Sequence, residues 1–160
     1  LQVALLLPDA ELAVGAGELR LVSTDPSVQP LLGYRYLEDP WDRQRLREGV
    51  RLCASLLKHE AYQHIVAERM MPSDQELASD EALDAWMRQQ VTTTQHISGT
   101  CKMGPASDPM AVVSQYGQVH GLANLWVADA SIMPDCIRAN TNATTIMIAE
   151  RVAEFLQQGR

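Results

Sequence analysis

The sequence of 160 residues contains few aromatic side chains and no long apolar run. Aromatic residues make up 5% of the chain, so we expect an aliphatic core. The apolar run near the start, VALLL, is too short to cross a bilayer. No basic segment precedes it as one would in an export signal, and we expect neither a membrane span nor export.

Cysteine is also scarce, and its spacing excludes common cysteine-based designs. Cys53, Cys101 and Cys136 are odd in number and form no CxxC pair. This pattern argues against a disulfide framework and is typical of a reducing compartment, so we expect a cytoplasmic protein.

Positive charge is sparse and scattered along the chain. Thirteen basic residues stand against 20 acidic ones, for a net charge of −7, which disfavours nucleic acid and anionic membranes as partners. The chain is 46% hydrophobic and 21% charged, without repeats or low-complexity tracts. These values are typical of a soluble globular protein with one domain, or with parts of two.

Capping and periodicity predict three helices. Asp39 before Pro40, followed by apolar residues at helical spacing, predicts a helix over 41–58, packed against a small sheet. Ser73 with Glu76 forms a capping-box pattern, and Ser79 or Asp80 can cap a second helix over 80–90. A third helix is predicted over 143–158, with an apolar face that includes Ile146 and Leu156.

Strand signals are shorter. LRLVS (19–23) alternates apolar and polar residues, and GYRYLED (33–39) indicates a second strand. Residues 111–134 contain two or three further short strands with glycine turns, ending in LWVAD (125–129). The fold class predicted is α+β, with an antiparallel sheet and flanking helices, and a strand followed by a helix at the C-terminus.

The stretch QHISGTCKMG (95–104) concentrates reactive side chains, and several chemistries can be tested on it. His96 and Cys101, with His120 and Cys136, match no zinc-ligand spacing, so we expect no metal. The chain has no GxSxG nucleophile motif. A nucleophilic Cys101 is left open, although a small packed residue is the more common role of such a thiol.

A second polar stretch, RANTNATT, lies at the head of the last predicted helix. A helix N-terminus carries a partial positive charge and free amides, so it can stabilise an anion such as a reduced flavin. By pattern alone, Asn140 and Asn142 are more simply explained as turn and cap residues. The GAGELR stretch at 15–20 precedes a strand and lacks the third glycine of a dinucleotide-binding fingerprint.

Taken together, QHISGTCKMG, NLWVADASIMP and ANTNATTIMIAERVAEFL resemble the C-terminal signature of the glucose-methanol-choline (GMC) oxidoreductases, most closely the choline- and alcohol-dehydrogenase-like branch. The stretch from GELRLVS to REGVRL is similar to substrate-domain segments of those enzymes. The resemblance implies FAD-dependent oxidation of a small-molecule alcohol, choline-like or another primary alcohol, to a carbonyl.

The resemblance also implies roles for individual residues. His96, in the HxxGT motif, corresponds to the family's catalytic base, and Asn142 to its partner, the donor of a hydrogen bond to the substrate oxygen. The family's flavin contacts fall on Asp129, Ala130, Asn142 and Thr144. Gly99 and Gly104 would allow close approach of the loop to cofactor or backbone, leaving Cys101 and Met103 as packing residues.

The resemblance assigns 1–94 to part of a substrate-binding domain, and 95–160 to the active-site loop and the C-terminal return of an FAD-binding α/β domain. The family's GxGxxG-bearing N-terminal half has no counterpart here, so we expect that half as a partner and expect the chain alone to be inactive and to bind FAD weakly. The alternative is a non-catalytic domain that associates with a partner or, as a homo-oligomer, with itself.

Overall fold

The computed structural model describes residues 13–160, and the chain divides into two compact units, Leu1–Thr92 and Thr93–Arg160. The VALLL run lies outside the described residues. The domain boundary predicted after residue 94 is two residues from this division, while the assignment of the two parts to substrate and flavin domains stays a prediction.

The first unit contains a small sheet and three helices. Strands β1 (Glu18–Arg20) and β2 (Leu31–Gly33) pair antiparallel, with Leu19 opposite Leu32. Helix α1 spans Pro40–Leu56, a 3₁₀ turn spans Glu60–Tyr62, and helices α2 and α3 span Asp74–Leu77 and Asp80–Gln90. This mixture of a two-stranded antiparallel sheet with helices confirms the α+β class.

Side chains cap these helices as the sequence predicted. The Asp39 carboxylate accepts the Trp41 N–H at 2.8 Å and Pro40 occupies the first helical position. Ser73 and Glu76 form the reciprocal capping box of α2. The Ser79 hydroxyl accepts the Ala82 N–H at 3.1 Å at the start of α3. These local bonds satisfy amides that a helix start leaves free, so short sequence patterns were sufficient to locate the helices.

The core of the first unit joins helix to helix. Val50 of α1 packs with Leu83 and Met87 of α3, all nearly inaccessible to solvent. Arg47 pairs with Asp84 at 2.8 Å beside this contact. The prediction that α1 packs on the sheet was wrong. Strands of three residues present no broad apolar face, and Leu31 of β2 is accordingly 60% exposed.

The second predicted strand was also misplaced. The strand is Leu31–Gly33, and the chain beyond it turns instead of extending through residue 39. Arg35 and Leu37 adopt positive φ angles of 51° and 61°, which no strand accommodates. Tyr34 and Tyr36 stack at 5.1 Å between ring centroids across this turn.

The second unit consists of irregular chain packed on one helix. Helix α4 spans Asn142–Gln157, and a 3₁₀ turn spans Ala130–Ile132. The core residues are Val113, Ile132, Met133, Ile148 and Val152. The strands predicted within 111–134 appear only as single bridges, one of which joins Gln118 to Trp126. LWVAD is therefore not a strand, although its Trp126 and Val127 do pack on the core.

Helix α4 buries a different face from the one that its sequence indicated. Ile148 and Val152 are 8% and 3% exposed, whereas Ile146 and Leu156 are 56% and 44% exposed. The helix is apolar on more than one side, so the periodicity alone does not decide which side meets the core. None of the helices described within residues 13–160 combines the length and the hydropathy that a membrane-spanning helix needs.

Gly117 provides a test of how tightly the second unit packs. Its φ is +78°, and a Cβ there would lie 2.8 Å from the Val127 carbonyl oxygen and 3.0 Å from Val152 Cγ2. We expect Gly117→Ala to lower the free energy of unfolding by roughly 2 kcal/mol or more, through backbone strain plus a clash.

Gly121 is the matched control, because its φ is +76° and no atom lies within 4 Å of the position that a Cβ would take. Gly121→Ala should cost only the backbone strain, about 1 kcal/mol. Urea denaturation followed by circular dichroism measures both variants. Equal losses would contradict the packing of Gly117 against Val127 and Val152.

Candidate functional site

The loop 95–104 is attached to the 3₁₀ turn at 130–132 by a ladder of backbone bonds. The Gly99 N–H donates to the Ala130 carbonyl at 3.3 Å, and the Cys101 and Met103 amides donate to Ser131 and Ile132 carbonyls at 2.9 Å. Because Ile132 belongs to the core, this ladder fixes the loop on the rigid part of the unit. The backbone of the loop from Gly99 to Met103 is therefore held against the core.

The two glycines of the loop serve different purposes, Gly99 for its backbone angle and Gly104 for a close approach to a side chain, while their predicted approach to a cofactor stays a prediction. Gly99 has φ +79°, in the region that favours glycine, and a Cβ there would sit 3.5 Å from the Met133 carbonyl oxygen. At Gly104 a Cβ would come within 2.9 Å of the Ala111 side chain. Cys101 and Met103 pack against the core cluster, which confirms packing as their role.

His96 contacts two residues at the head of α4. Its Nδ1 lies 3.1 Å from the Thr141 hydroxyl oxygen, and its Nε2 lies 3.4 Å from the Asn140 side-chain nitrogen. The preceding residue, Gln95, has φ 66°, and its N–H donates to the Thr93 hydroxyl at 2.9 Å. The structure thus joins the loop to the polar stretch that precedes α4, across 45 positions of sequence.

The imidazole contacts the first asparagine of the NTN stretch, Asn140. Asn142 was predicted as the partner of His96 that donates to the substrate oxygen, and that role stays a prediction. Asn142 is the first helical residue, and its backbone N–H donates to the Asn140 side-chain oxygen at 2.9 Å. This Asx turn directs Asn140 toward the imidazole, and because either asparagine of N-x-N can form a turn or a cap, the spacing alone does not indicate which one does so.

Asp129, Ala130 and Thr144 lie on the elements that border the loop. The Asp129 carboxylate accepts the Ser131 N–H at 2.8 Å and so caps the 3₁₀ turn. Ala130 supplies the carbonyl that holds Gly99. Thr144 lies in the first turn of α4 and is half-buried. Their predicted contacts with flavin stay predictions.

The start of α4 is suited to an electron-rich group. Thr141 is the N-cap residue, yet its side chain makes no capping bond to the helix amides. The Asn142 N–H is taken by Asn140, and the amides that follow it in the first turn carry the positive end of this sixteen-residue helix beside His96. The reduced isoalloxazine ring carries its negative charge near N1 and the C2 carbonyl, so the residues present fit that group.

The other candidates in the sequence have ordinary partners. His120 Nε2 lies 3.0 Å from the Gly104 carbonyl oxygen, which makes it a satisfied structural histidine. Within residues 13–160, no group of three or more His, Cys, Asp and Glu side chains is arranged to hold a metal ion.

Comparison with known proteins gives the family. The family model described as GMC oxidoreductase matches residues 13–149. The oxygen-dependent choline dehydrogenase of Paraburkholderia xenovorans strain LB400 is 40% identical over 141 residues, covering 88% of this chain and 25% of that enzyme. The chain therefore spans about a quarter of the length of this relative.

Solved structures show the same similarity. A fungal aryl-alcohol oxidase is 32% identical with a TM-score of 0.78, over 89% of this chain and 23% of its own. An FAD-dependent oxidoreductase from Chaetomium thermophilum is 28% identical with a TM-score of 0.81, over 89% of this chain and 24% of its own.

Asp108, which lies close to the 95–104 loop, makes the stability of the fold depend on pH. The Met110 N–H donates to the Asp108 carboxylate at 2.9 Å and Lys102 pairs with it at 3.1 Å. Chiefly through the Met110 bond, and then through Lys102, these contacts hold the pKa of Asp108 below its ordinary value. Such a carboxyl stabilises the fold above its unfolded pKa of about 4, and that contribution is lost as pH falls through the lowered pKa.

We therefore expect the free energy of unfolding to decline below about pH 4, and to decline less steeply in Asp108→Asn. Lys102→Met should retain most of the wild-type pH dependence, because it leaves the Met110 bond intact. Urea denaturation between neutral and strongly acidic pH measures the three slopes. Identical slopes for wild type and Asp108→Asn would contradict the assignment.

Proposed function

Because the chain belongs to the GMC oxidoreductase family, we propose that it is the C-terminal, base-bearing part of an FAD-dependent enzyme that oxidises an alcohol to a carbonyl. The observation that carries this proposal is the convergence of His96 and Asn140 at the start of α4. A ring nitrogen and a carboxamide at one helix N-terminus provide a base and a hydrogen-bond donor for the same oxygen.

His96 acts as the general base in this proposal. An alcohol is a very weak acid, so its hydroxyl proton has to leave as the carbon is oxidised, and a neutral imidazole accepts it. Contacts of its Nδ1 with the Thr141 hydroxyl and of its Nε2 with the Asn140 amide limit the freedom of the imidazole. A base held in this way contributes roughly 10²–10⁴-fold in rate.

Asn140 is the donor to the substrate oxygen. Its Nδ2 lies 3.4 Å from His96 Nε2, a long hydrogen bond that is weaker than those at 2.9 Å. A substrate hydroxyl that donates to Nε2 takes this place, and the amide then donates to the substrate oxygen as negative charge develops there. A donor already oriented by the Asn142 N–H needs little reorganisation to do so.

The cofactor completes the redox chemistry. FAD, if bound here, would supply the acceptor for the hydride that leaves the alcohol carbon. Asp129, Ala130 and Thr144, with the first turn of α4, are the residues of this chain that would hold it, and Asn142 contributes its helix position. FAD dependence in the Chaetomium thermophilum neighbour supports the same cofactor here.

A second polypeptide segment has to supply the rest of the FAD site. No GxGxxG fingerprint occurs in this sequence, and the match to this chain covers only 25% of the related choline dehydrogenase. Ile97, Ile146 and Met147 are each more than half exposed, and a covering segment would remove them from water. The alternative, a non-catalytic self-associating domain, has no observation in its favour beyond this same exposed area.

The substrate class is an alcohol, and choline is the first to test. The chain is 40% identical to a choline dehydrogenase, while an aryl-alcohol oxidase shares the architecture. The assignment of residues 1–94 to the substrate-binding domain is part of the proposal, since these residues would then help to select among alcohols.

A chimera tests the proposed activity. Residues 13–149 replace the matching C-terminal segment of the Paraburkholderia xenovorans choline dehydrogenase, and the purified protein is examined for bound FAD and for flavin bleaching by choline and by benzyl alcohol. We expect a yellow protein that at least one of these alcohols reduces. His96→Gln should keep the colour and slow reduction at least about 100-fold.

Two results with the chimera would count against the proposal. A yellow chimera that neither alcohol reduces would contradict the proposed function. Reduction that continues at the same rate in His96→Gln would show that another group is the base.

The choice between the two asparagines is tested in the same chimera. Asn140→Ala removes the donor and should slow flavin reduction by about 100-fold or more. Asn142→Ala keeps the backbone N–H that orients Asn140, so its loss should be much smaller. Stopped-flow absorbance at saturating alcohol measures both. A greater loss in Asn142→Ala would restore Asn142 as the donor and refute the assignment to Asn140.

A further inference from the structure

We propose that Thr93 is a positioning residue for His96. Its hydroxyl accepts the Gln95 N–H and so holds Gln95 in the left-handed conformation that places the imidazole at the head of α4. The hydroxyl oxygen lies 2.9 Å from the Gln95 nitrogen, and Gln95 has a φ of 66°. The catalytic value of this placement rests on the function proposed above, whereas the placement itself does not.

The stretch 92–98, which carries His96, is otherwise weakly held. It begins after helix α3 and ends where the backbone ladder to the 3₁₀ turn starts, at Gly99. Within the part of the chain that the structure describes, the amides of this stretch make a single hydrogen bond, the one from Gln95 to Thr93. The restraint on the backbone next to His96 therefore depends on this hydroxyl.

The conformation of Gln95 has a cost that the hydroxyl offsets. A left-handed backbone is disfavoured roughly tenfold for a residue with a Cβ. The side chain of Gln95 is exposed, so burial in the core does not impose this conformation. A hydrogen bond to the amide favours the bonded conformer about fivefold. A threonine two positions earlier closes such a turn, and its restricted χ1 keeps the hydroxyl in place.

A change of the backbone at Gln95 would displace His96. The ladder beyond the stretch 92–98 is bonded to the 3₁₀ turn, so the stretch itself has to absorb any rotation about the Gln95 φ. The imidazole lies 3.1 Å from the Thr141 hydroxyl oxygen and 3.4 Å from the Asn140 side-chain nitrogen. A shift of about 1 Å away from them is enough to break both contacts. A catalytic base misplaced by that distance can slow a reaction about 100-fold.

The experiment is nuclear magnetic resonance of the isotope-labelled 160-residue chain. The one-bond Cα–Hα coupling of Gln95 reports its φ, because this coupling is smaller at positive than at negative angles. Nuclear Overhauser cross-peaks between the His96 ring and the Thr141 side chain report the placement of the imidazole. Thr93→Val removes the hydroxyl at nearly constant shape, and Thr93→Ser retains it.

Further variants separate this role from a general loss of structure. Thr94→Val is the matched control, because Thr94 is exposed and its hydroxyl makes no hydrogen bond within residues 13–160. Gln95→Gly is combined with Thr93→Val, since glycine takes a positive φ without the cost of a Cβ and should therefore rescue the valine variant.

His120 is an internal reference in every spectrum. Its Nε2 lies 3.0 Å from the Gly104 carbonyl oxygen, and unchanged His120 signals show that the unit remains folded. Should Thr93→Val lose that reference, Thr93→Ala provides the comparison without a hydroxyl.

We expect a positive φ at Gln95 and strong cross-peaks from His96 to Thr141 in the wild type, in Thr93→Ser and in Thr94→Val. In Thr93→Val the coupling should move toward that of negative angles, and the cross-peaks should weaken at least about twofold, because one hydrogen bond is lost from a conformer of high cost. The glycine in the combined variant should restore the cross-peaks.

An unchanged coupling or unchanged cross-peaks in Thr93→Val would overturn the proposal. An equal loss in Thr94→Val would do the same, and so would a combined variant in which the cross-peaks stay weak. The measurement needs no flavin, so failure of the proposed enzymatic activity would be seen separately.

Discussion

The hydrogen bond from the Asn142 backbone N–H to the Asn140 side-chain oxygen sets the orientation of the whole candidate site. This bond engages the oxygen of the amide, so the NH₂ group faces His96, at 3.4 Å from Nε2. The imidazole, with its lone pair engaged on one side, meets the Thr141 hydroxyl on the other. A helix start therefore controls the direction of four polar groups, and the site depends on where α4 begins.

The core of the second unit holds both the helix and the loop that form this site. Ile148 and Val152 of α4 share a core with Ile132 and Met133, and the loop that carries His96 is bonded to the Ala130–Ile132 turn. The helix and the loop thus rest on one cluster of buried side chains. A shift of α4 along its axis would move Asn140 and Thr141 away from the imidazole, so core packing and the geometry of the site are parts of one constraint. The exposed side of α4 carries Ile146 and Met147, and in the proposed enzyme this side would meet the segment that completes the flavin site.

The sequence was informative where local chemistry decides structure. Asp39, Ser73 and Ser79 bond to amides two or three positions away, so their patterns located three helix starts. The GMC signature motifs likewise identified the family. The strands were predicted less well: Arg35 and Leu37 take left-handed conformations within an apparently alternating segment, and Trp126 packs on the core without belonging to a strand. Such outcomes depend on tertiary contacts that periodicity does not report.

The asparagines of NTN show the same limit at the site. One precedes the helix, the other begins it, and either can serve as a cap. The sequence therefore does not tell which side chain turns back to the imidazole. The Asx turn seen in the structure shows that it is Asn140. The most direct measurement of the account is a crystal structure of the FAD-loaded chimera, its flavin reduced beforehand so that the bound alcohol cannot react. We predict that the alcohol oxygen lies within hydrogen-bond distance of both His96 Nε2 and Asn140 Nδ2. An oxygen bound against Asn142, or away from His96, would contradict the account.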